Sequence, residues 1–165
     1  MSKQSTTGRI PGRPRRRQLP LAVGVVAALA IAMIALSLRG RNTTANPDNP
    51  QQVALGRQVY AQQCASCHGE RLEGQPNWQA ELPTGGRLAP PHDASGHTWH
   101  HPDRVLFDIV KRGGQASSPA TYQNNMPAFG GTLSDAQIWA ALAYIKSSWP
   151  PEIRAAQAQV SQQAR

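Results

Sequence analysis

Two cysteines and a histidine lie within five consecutive positions, in the order Cys64-Ala65-Ser66-Cys67-His68. On a helical end, side chains at positions i and i+3 project from one side, so both thiols can reach the two vinyl groups of one haem. The adjacent imidazole is then held where it can bind the iron. A single Cys-x-x-Cys-His sequence is typical of c-type haem attachment. We therefore expect one covalent haem c, with thioethers to Cys64 and Cys67 and axial ligation by His68.

Other uses of a cysteine pair fit the sequence less well. A zinc site needs four ligands, and no second cysteine pair is present. A thioredoxin-like redox pair needs a βαβ setting, and the sequence shows no such pattern. A disulfide between these cysteines would close a very small loop and would leave His68 unexplained. The histidines that could join a zinc site lie far along the chain, at His92, His97, His100 and His101.

The sixth iron ligand is expected to be a methionine. Met/His ligation is the pairing that raises the reduction potential of a haem. Of three methionines, Met1 is the initiator and Met33 lies in an apolar segment, which leaves Met126. Met126 lies in a loop rich in proline and asparagine, where a core-filling role is not indicated. The four histidines outside the attachment motif are the competing ligands.

The net charge of +8 belongs entirely to residues 1–41, which hold eight basic residues and no acid. Residues 42–165 are formally neutral, since their nine basic residues match nine acidic ones. A basic groove for nucleic acid is therefore excluded for the main domain.

An uncharged apolar stretch at residues 21–38 follows the basic residues. As a helix of about 1.5 Å rise per residue it would approach the ~30 Å hydrocarbon core of a bilayer. The basic residues before it favour a cytoplasmic N-terminus and an exported remainder. We expect a basic terminus at residues 1–18 and one transmembrane anchor at 19–38 in the inner (cytoplasmic) membrane, with the haem domain in the periplasm. A cleaved signal peptide is the alternative.

Beyond the anchor, residues 39–51 are polar and contain two prolines, which is typical of a solvated linker. Residues 52–150 are expected to form the haem domain. Three helices are predicted there: 51–67, a helix beginning near Pro102 and ending at Gly113-Gly114, and a helix from the capping box at Ser134 to Pro150. Residues 151–165 are expected to form a polar tail. Any helix there would pack poorly and fray, because it has so few large apolar residues.

These residues resemble class I (mitochondrial-type) c-type cytochromes of the small, membrane-anchored bacterial kind. The resemblance covers roughly residues 53–149. It rests on the spacing from Gly56 to Tyr60, on CASCHG at 64–69, LAPP at 88–91, NNMPAFG at 124–130 and LSDAQIWAALAYI at 133–145.

The resemblance implies an all-α cytochrome c fold, with three main helices around one haem and the first and last helices crossing near Gly56, Tyr60 and Trp139. It also implies that the carbonyl of Pro90 accepts a hydrogen bond from His68, which would fix the ligand's tautomer. The chain departs from the family pattern at His92, where an aliphatic residue is usual.

The histidines after His92 allow two interpretations. One is a polar surface loop, with His101 or a neighbour capping the second helix and Trp99 packing on the haem edge. The other is a second metal site, suited to copper, formed by His97, His100 and His101.

The expected function is electron transfer in a bacterial respiratory chain, without enzymatic activity of its own. The partners would be a quinol-oxidising complex as donor and a terminal oxidase or reductase as acceptor. A small-ligand-binding or catalytic haem, or a subunit of a larger membrane redox or metal-handling complex, is the alternative. The nature of the sixth ligand separates the carrier from the catalyst.

Overall fold

The computed structural model describes residues 43–164 of the chain, and this part is helical. It has five α-helices: α1 (Pro50–Gln63), α2 (Ala65–His68), α3 (Asp103–Arg112), α4 (Asp135–Ser147) and α5 (Pro151–Gln163). Short 3₁₀ turns lie at Thr98–His100 and Gly114–Ser117. Within the described residues the only β pairing is an isolated bridge, so the all-α prediction is confirmed there.

The predicted anchor at residues 19–38 lies outside the described residues, as does the basic terminus at 1–18. From residue 43 to residue 164, no helix combines the length and the apolar character that a membrane crossing requires.

The segment before α1 is packed rather than solvated, which differs from the predicted linker. Ala45 is only 6% exposed. The side chain of Gln52 accepts a hydrogen bond from Asn46 N at 2.9 Å and donates to Thr44 O at 2.8 Å. The side chain of Asn49 then caps the first turn of α1. The buried Gln52 side chain therefore takes the place of water as the hydrogen-bond partner of the backbone at Thr44 and Asn46. The folded unit accordingly begins before residue 50.

Helix α1 crosses α4 at Gly56, as the family resemblance implies. A Cβ atom at Gly56 would overlap the carbonyl oxygen of Ala140, so only glycine allows this approach. One turn further on, the rings of Tyr60 and Tyr144 lie 5.4 Å apart. Trp139, also expected near the crossing, precedes Ala140 and stacks on the ring of Phe107 in α3.

The helix ends follow the predicted signals closely, with one interruption. Helix α4 begins at the capping box of Ser134 and Gln137, and α3 ends at Gly113, which has φ 85°. The first predicted helix does not run unbroken to residue 67. It stops at Cys64, whose φ of −116° departs from helical geometry, and α2 follows as a separate turn.

The expectation that residues 151–165 form a fraying tail is wrong. Pro151–Gln163 is a helix, and Gln157 in it is fully buried. Its Nε2 donates to Asp103 Oδ1 at 2.6 Å and to Ser161 Oγ at 2.9 Å. Hydrogen bonds of Gln157 attach this helix, and a count of large apolar residues does not reveal them. The domain therefore extends beyond residue 150.

Candidate haem site

The attachment sequence lies where α1 gives way to α2. The two cysteines form no disulfide with each other, and Cys64 is partly buried whereas Cys67 is exposed. Burial, together with the neighbouring Cys67, raises the pKa of Cys64 to about 11, which favours its neutral thiol at pH 7. The Tyr60 hydroxyl donates to the carbonyl of Gly69 at 2.9 Å and so ties the end of this sequence back to α1.

His68 is buried, at 8% exposure, and its Nδ1 lies 2.9 Å from the carbonyl oxygen of Pro90. A carbonyl can only accept, so the proton belongs on Nδ1 and Nε2 keeps a lone pair for a metal. Burial lowers the pKa of His68, and the bond to Pro90 partly opposes that. The imidazole is therefore neutral at pH 7, as a metal ligand must be.

A glycine makes this approach of Pro90 possible. Gly74 has φ 70°, and a Cβ there would lie 2.5 Å from the nitrogen of Pro91 and 2.7 Å from the carbonyl carbon of Pro90. The backbone of Gly74 also donates to the carbonyl of His68 at 2.8 Å. The chain after the haem motif is thus folded tightly against the proline pair.

The loop that carries Met126 is fastened to the end of α3. The nitrogen of Gly114 donates to Met126 O at 3.0 Å, and Met126 N donates to Asn124 Oδ1 at 3.1 Å. A side chain at Gly114 would overlap that of Asn124. The glycines that end α3 therefore also let the methionine loop approach the helix.

One cavity of about 630 Å³ brings the expected site residues together, a size within the ~300–1,000 Å³ usual for small-molecule and cofactor sites. Its lining includes Cys64, Cys67, His68, Pro90 and Met126. Apolar side chains form much of the remaining wall, among them Leu82, Leu88, Leu106, Ile109, Val110, Leu142 and Ile145. Two thiols, a neutral imidazole and a thioether around one apolar space fit a covalently attached haem.

The histidine side chains of residues 92–101 mostly stack on other rings in this structure. Within the described residues no group of three or more histidine, cysteine or acidic side chains could hold a metal ion. His97 stacks on Trp78, with ring centroids 5.6 Å apart, and His100 stacks on Trp99 at 3.7 Å. His97 and His101 line the haem cavity together with Arg87.

Two smaller expectations for this loop are also corrected. The N-cap residue of α3 is Pro102, and the first-turn nitrogen of Asp103 donates to Ser161 Oγ at 3.0 Å, so His101 does not cap the helix. Trp78, rather than Trp99, lines the cavity, and the ring of Trp99 stacks on His100. Apart from its aromatic type, nothing in the sequence pointed to Trp78.

The model of the cytochrome c family matches residues 53–149, more than half of the chain. The chain belongs to the cytochrome c family. Members of this family bind haem c covalently, and the cysteine pair of the attachment motif is present in this cytochrome at Cys64 and Cys67. The domain therefore has a haem-based electron-transfer role.

A thiosulfate dehydrogenase of Stutzerimonas stutzeri (strain A1501) is 33% identical to this cytochrome over 115 residues. The aligned region covers 66% of this chain and 33% of the relative, so the chain spans about a third of that protein's length. No solved structure shows significant similarity to the chain.

Sequence reasoning missed the role of His92 in this cytochrome. Its ring lies against the imidazole of His68, with centroids 4.0 Å apart and planes inclined by 24°. Burial, and then the charges of His68 and His97, hold the pKa of His92 well below its usual range. Its departure from the family pattern was visible in the sequence, but its partner could be identified only from the folded chain.

Proposed function

We propose that this cytochrome is a membrane-anchored carrier of single electrons, with His68 and Met126 as the two axial ligands of its haem iron. The observation that supports the proposal is the shared cavity: His68, Met126 and both cysteines line it. A haem held by two protein ligands has no open position for substrates, which favours electron transfer over catalysis.

The bound haem c supplies a reversible one-electron couple. The chain's residues determine its environment. Pro90 orients His68 and fixes its tautomer, and the contacts of Gly114 and Asn124 hold the backbone of Met126. The apolar wall of the cavity excludes water from the site, and burial of this kind is one of the factors that set a haem potential.

In the cell, residues 19–38 would anchor the protein in the inner membrane and the haem domain would lie in the periplasm. Its electrons would come from a quinol-oxidising complex and pass to a terminal oxidase or a reductase. Anchoring keeps the carrier close to these membrane partners. Redox complexes of this kind usually have small interfaces and short lifetimes.

Optical spectra of the haem-loaded chain test the ligand assignment. We expect a weak charge-transfer band near the red end of the oxidised spectrum, reporting the methionine–iron bond, and its loss in Met126→Ala. Ile109→Ala also alters the cavity wall but removes no candidate ligand, so it should keep the band. A wild-type protein that lacks the band and readily binds carbon monoxide would overturn the carrier proposal.

A second candidate function follows from the relative named thiosulfate dehydrogenase. Here thiosulfate would be the electron donor. Joining two thiosulfate ions through a new S–S bond releases two electrons, and two molecules of this one-haem cytochrome would be needed to accept them, one electron each. Mixing the oxidised cytochrome with thiosulfate and following the reduced haem spectrum tests this. Rapid reduction that saturates with thiosulfate would support it, whereas reduction by ascorbate but not by thiosulfate would exclude it.

A further inference from the structure

The imidazoles of His92 and His68 form a face-to-face stack, with ring centroids 4.0 Å apart and planes inclined by 24°. Where the family pattern has an aliphatic side chain, this chain therefore places a second aromatic ring against the expected iron ligand. An aliphatic side chain could fill the same space, but it offers no π face to its neighbour.

Several parts of the fold hold His92 in place. Its Nδ1 lies 2.8 Å from Thr98 Oγ1, and its backbone nitrogen donates to Leu72 O at 2.7 Å. Its carbonyl accepts a hydrogen bond from Trp149 Nε1 at 2.8 Å. The ring of Tyr60 approaches it edge-on, with centroids 6.4 Å apart. Both the backbone and the ring are thus fixed before any partner binds.

The stack on His92 opposes tilting of the His68 ring, a motion that the hydrogen bond to Pro90 does not prevent. The bond from Nδ1 to Pro90 O fixes one edge of the ring, but the ring can still tilt about that contact. A second ring against its face opposes this tilt. Two contacts in different directions therefore fix both the position and the plane of the imidazole.

The stack also acts electrostatically. The face of an aromatic ring carries negative π density and attracts positive charge. The ligated His68 is more positive in the oxidised state of the protein than in the reduced state. A ring face against it therefore favours the oxidised state.

We propose that His92 is a positioning residue that holds the ring plane of His68 and lowers the reduction potential of the haem. The proposal rests on the proposed ligation of iron by His68.

Redox titration of the haem-loaded chain at one fixed pH tests the proposed effect of His92 on the reduction potential. His92→Leu should raise the ratio of reduced to oxidised protein at a given applied potential by about 2- to 30-fold, the range expected for an aromatic face near positive charge. A tenfold change equals 59 mV for a one-electron couple. His92→Phe keeps a ring face and should stay near the wild-type value. His100→Leu is the matched control, because the exposed His100 stacks on Trp99 in the same loop.

Electron paramagnetic resonance of the oxidised proteins reports the ligand orientation. The g values should change in His92→Leu and remain close to wild type in His92→Phe. If His92→Leu fails to take up haem, Thr98→Val provides the test, since loss of the Nδ1 contact should shift the potential in the same direction by a smaller factor.

Equal potentials in wild type, His92→Leu and Thr98→Val would overturn the proposal. Equal shifts in His92→Leu and His92→Phe would overturn it as well, because the effect would then come from the polar imidazole and not from stacking. Failure of the proposed function is distinguishable, because the wild-type spectrum itself would then lack the features of a six-coordinate haem.

Discussion

Asp103 and Lys146 form an ion pair at the junction of α3 and α4, with Lys146 Nζ 2.8 Å from Asp103 Oδ1. The Lys146 side chain is only 9% exposed and that of Asp103 is 22% exposed. Gln157 of α5 donates to the same carboxylate. The part-buried Asp103 carboxylate thus connects α3, α4 and α5.

Breaking this pair should destabilise the protein strongly. We expect Lys146→Met to lower the free energy of unfolding by roughly 3–5 kcal/mol, because the Asp103 carboxylate is left without its cation. Urea denaturation of the haem-loaded chain measures the change. The double variant Asp103→Asn/Lys146→Met should recover much of the loss, since it leaves no buried charge unpaired.

The exposed pair of Lys111 and Asp135 provides the control. Its atoms lie 2.7 Å apart, but the side chains are 39% and 61% exposed. Lys111→Met should therefore cost about 0–1 kcal/mol. Equal losses for Lys111→Met and Lys146→Met would show that burial of the Lys146 pair has no energetic importance.

Helix α5 should contribute measurably to stability through Gln157. Gln157→Leu removes the donor to His101 O and to Asp103, and we expect a loss of about 1–3 kcal/mol. The same substitution at the exposed Gln159 should have little effect. Hydrogen exchange would show faster opening of α5 in the first variant. Unchanged protection would mean that α5 is not attached through Gln157.

The crossing of α1 and α4 requires glycine at position 56. Gly56→Ala places a methyl group against the carbonyl of Ala140, and separating the helices should cost about 3 kcal/mol or more. Gly131→Ala is a suitable control, because no heavy atom of the described residues lies within 4 Å of such a methyl group. Thermal unfolding should give a lower midpoint for Gly56→Ala than for Gly131→Ala. Similar midpoints in the two variants would contradict the close crossing of α1 and α4.

The hydrogen bonds of Asn124 should keep Met126 in place. Asn124→Ala removes the acceptor for Met126 N and the donor to Ser118 Oγ. At about 0.5–1.5 kcal/mol for each bond, the open sixth position should become roughly tenfold more populated. Carbon monoxide binding to the reduced protein measures this population. Asn125→Ala, a change at the neighbouring position, should bind carbon monoxide as weakly as wild type does.

Electron exchange with a partner should depend little on salt. Residues 42–165 carry no formal net charge before the haem propionates are counted, so long-range steering of a charged partner is weak. Stopped-flow reduction by the donor, with ionic strength raised from about 0.01 to 0.15 M, shortens the Debye length from ~30 to ~8 Å. A steep fall in rate over this range would reveal a charged docking surface instead.

Local sequence signals were sufficient for much of the fold. The capping box at Ser134 and the glycines after Arg112 set helix ends through contacts within a few residues. The spacing of Gly56 and Tyr60 indicated a close helix contact, and the family resemblance implied which helices cross there. Such features depend on neighbouring residues and on backbone geometry, which a sequence displays directly.

The packing of the two ends of the domain was not predictable in this way. The residues before Pro50 and the helix after Pro150 are polar, and hydrophobic patterning therefore assigned both to solvent. They are held by Gln52 and Gln157, whose partners are fixed only when the chain has folded.

The sequence by itself determined the chemistry of this cytochrome: the spacing of Cys64, Cys67 and His68 is a local property of one turn of chain. Only the tertiary structure decided what surrounds that turn. It brought the expected residues Pro90 and Met126 to the same cavity as His68, and it placed His92, for which no partner was expected, against the ring of His68. These residues are far apart along the chain, and their contacts exist because the helices and glycine turns bring distant segments to one apolar space.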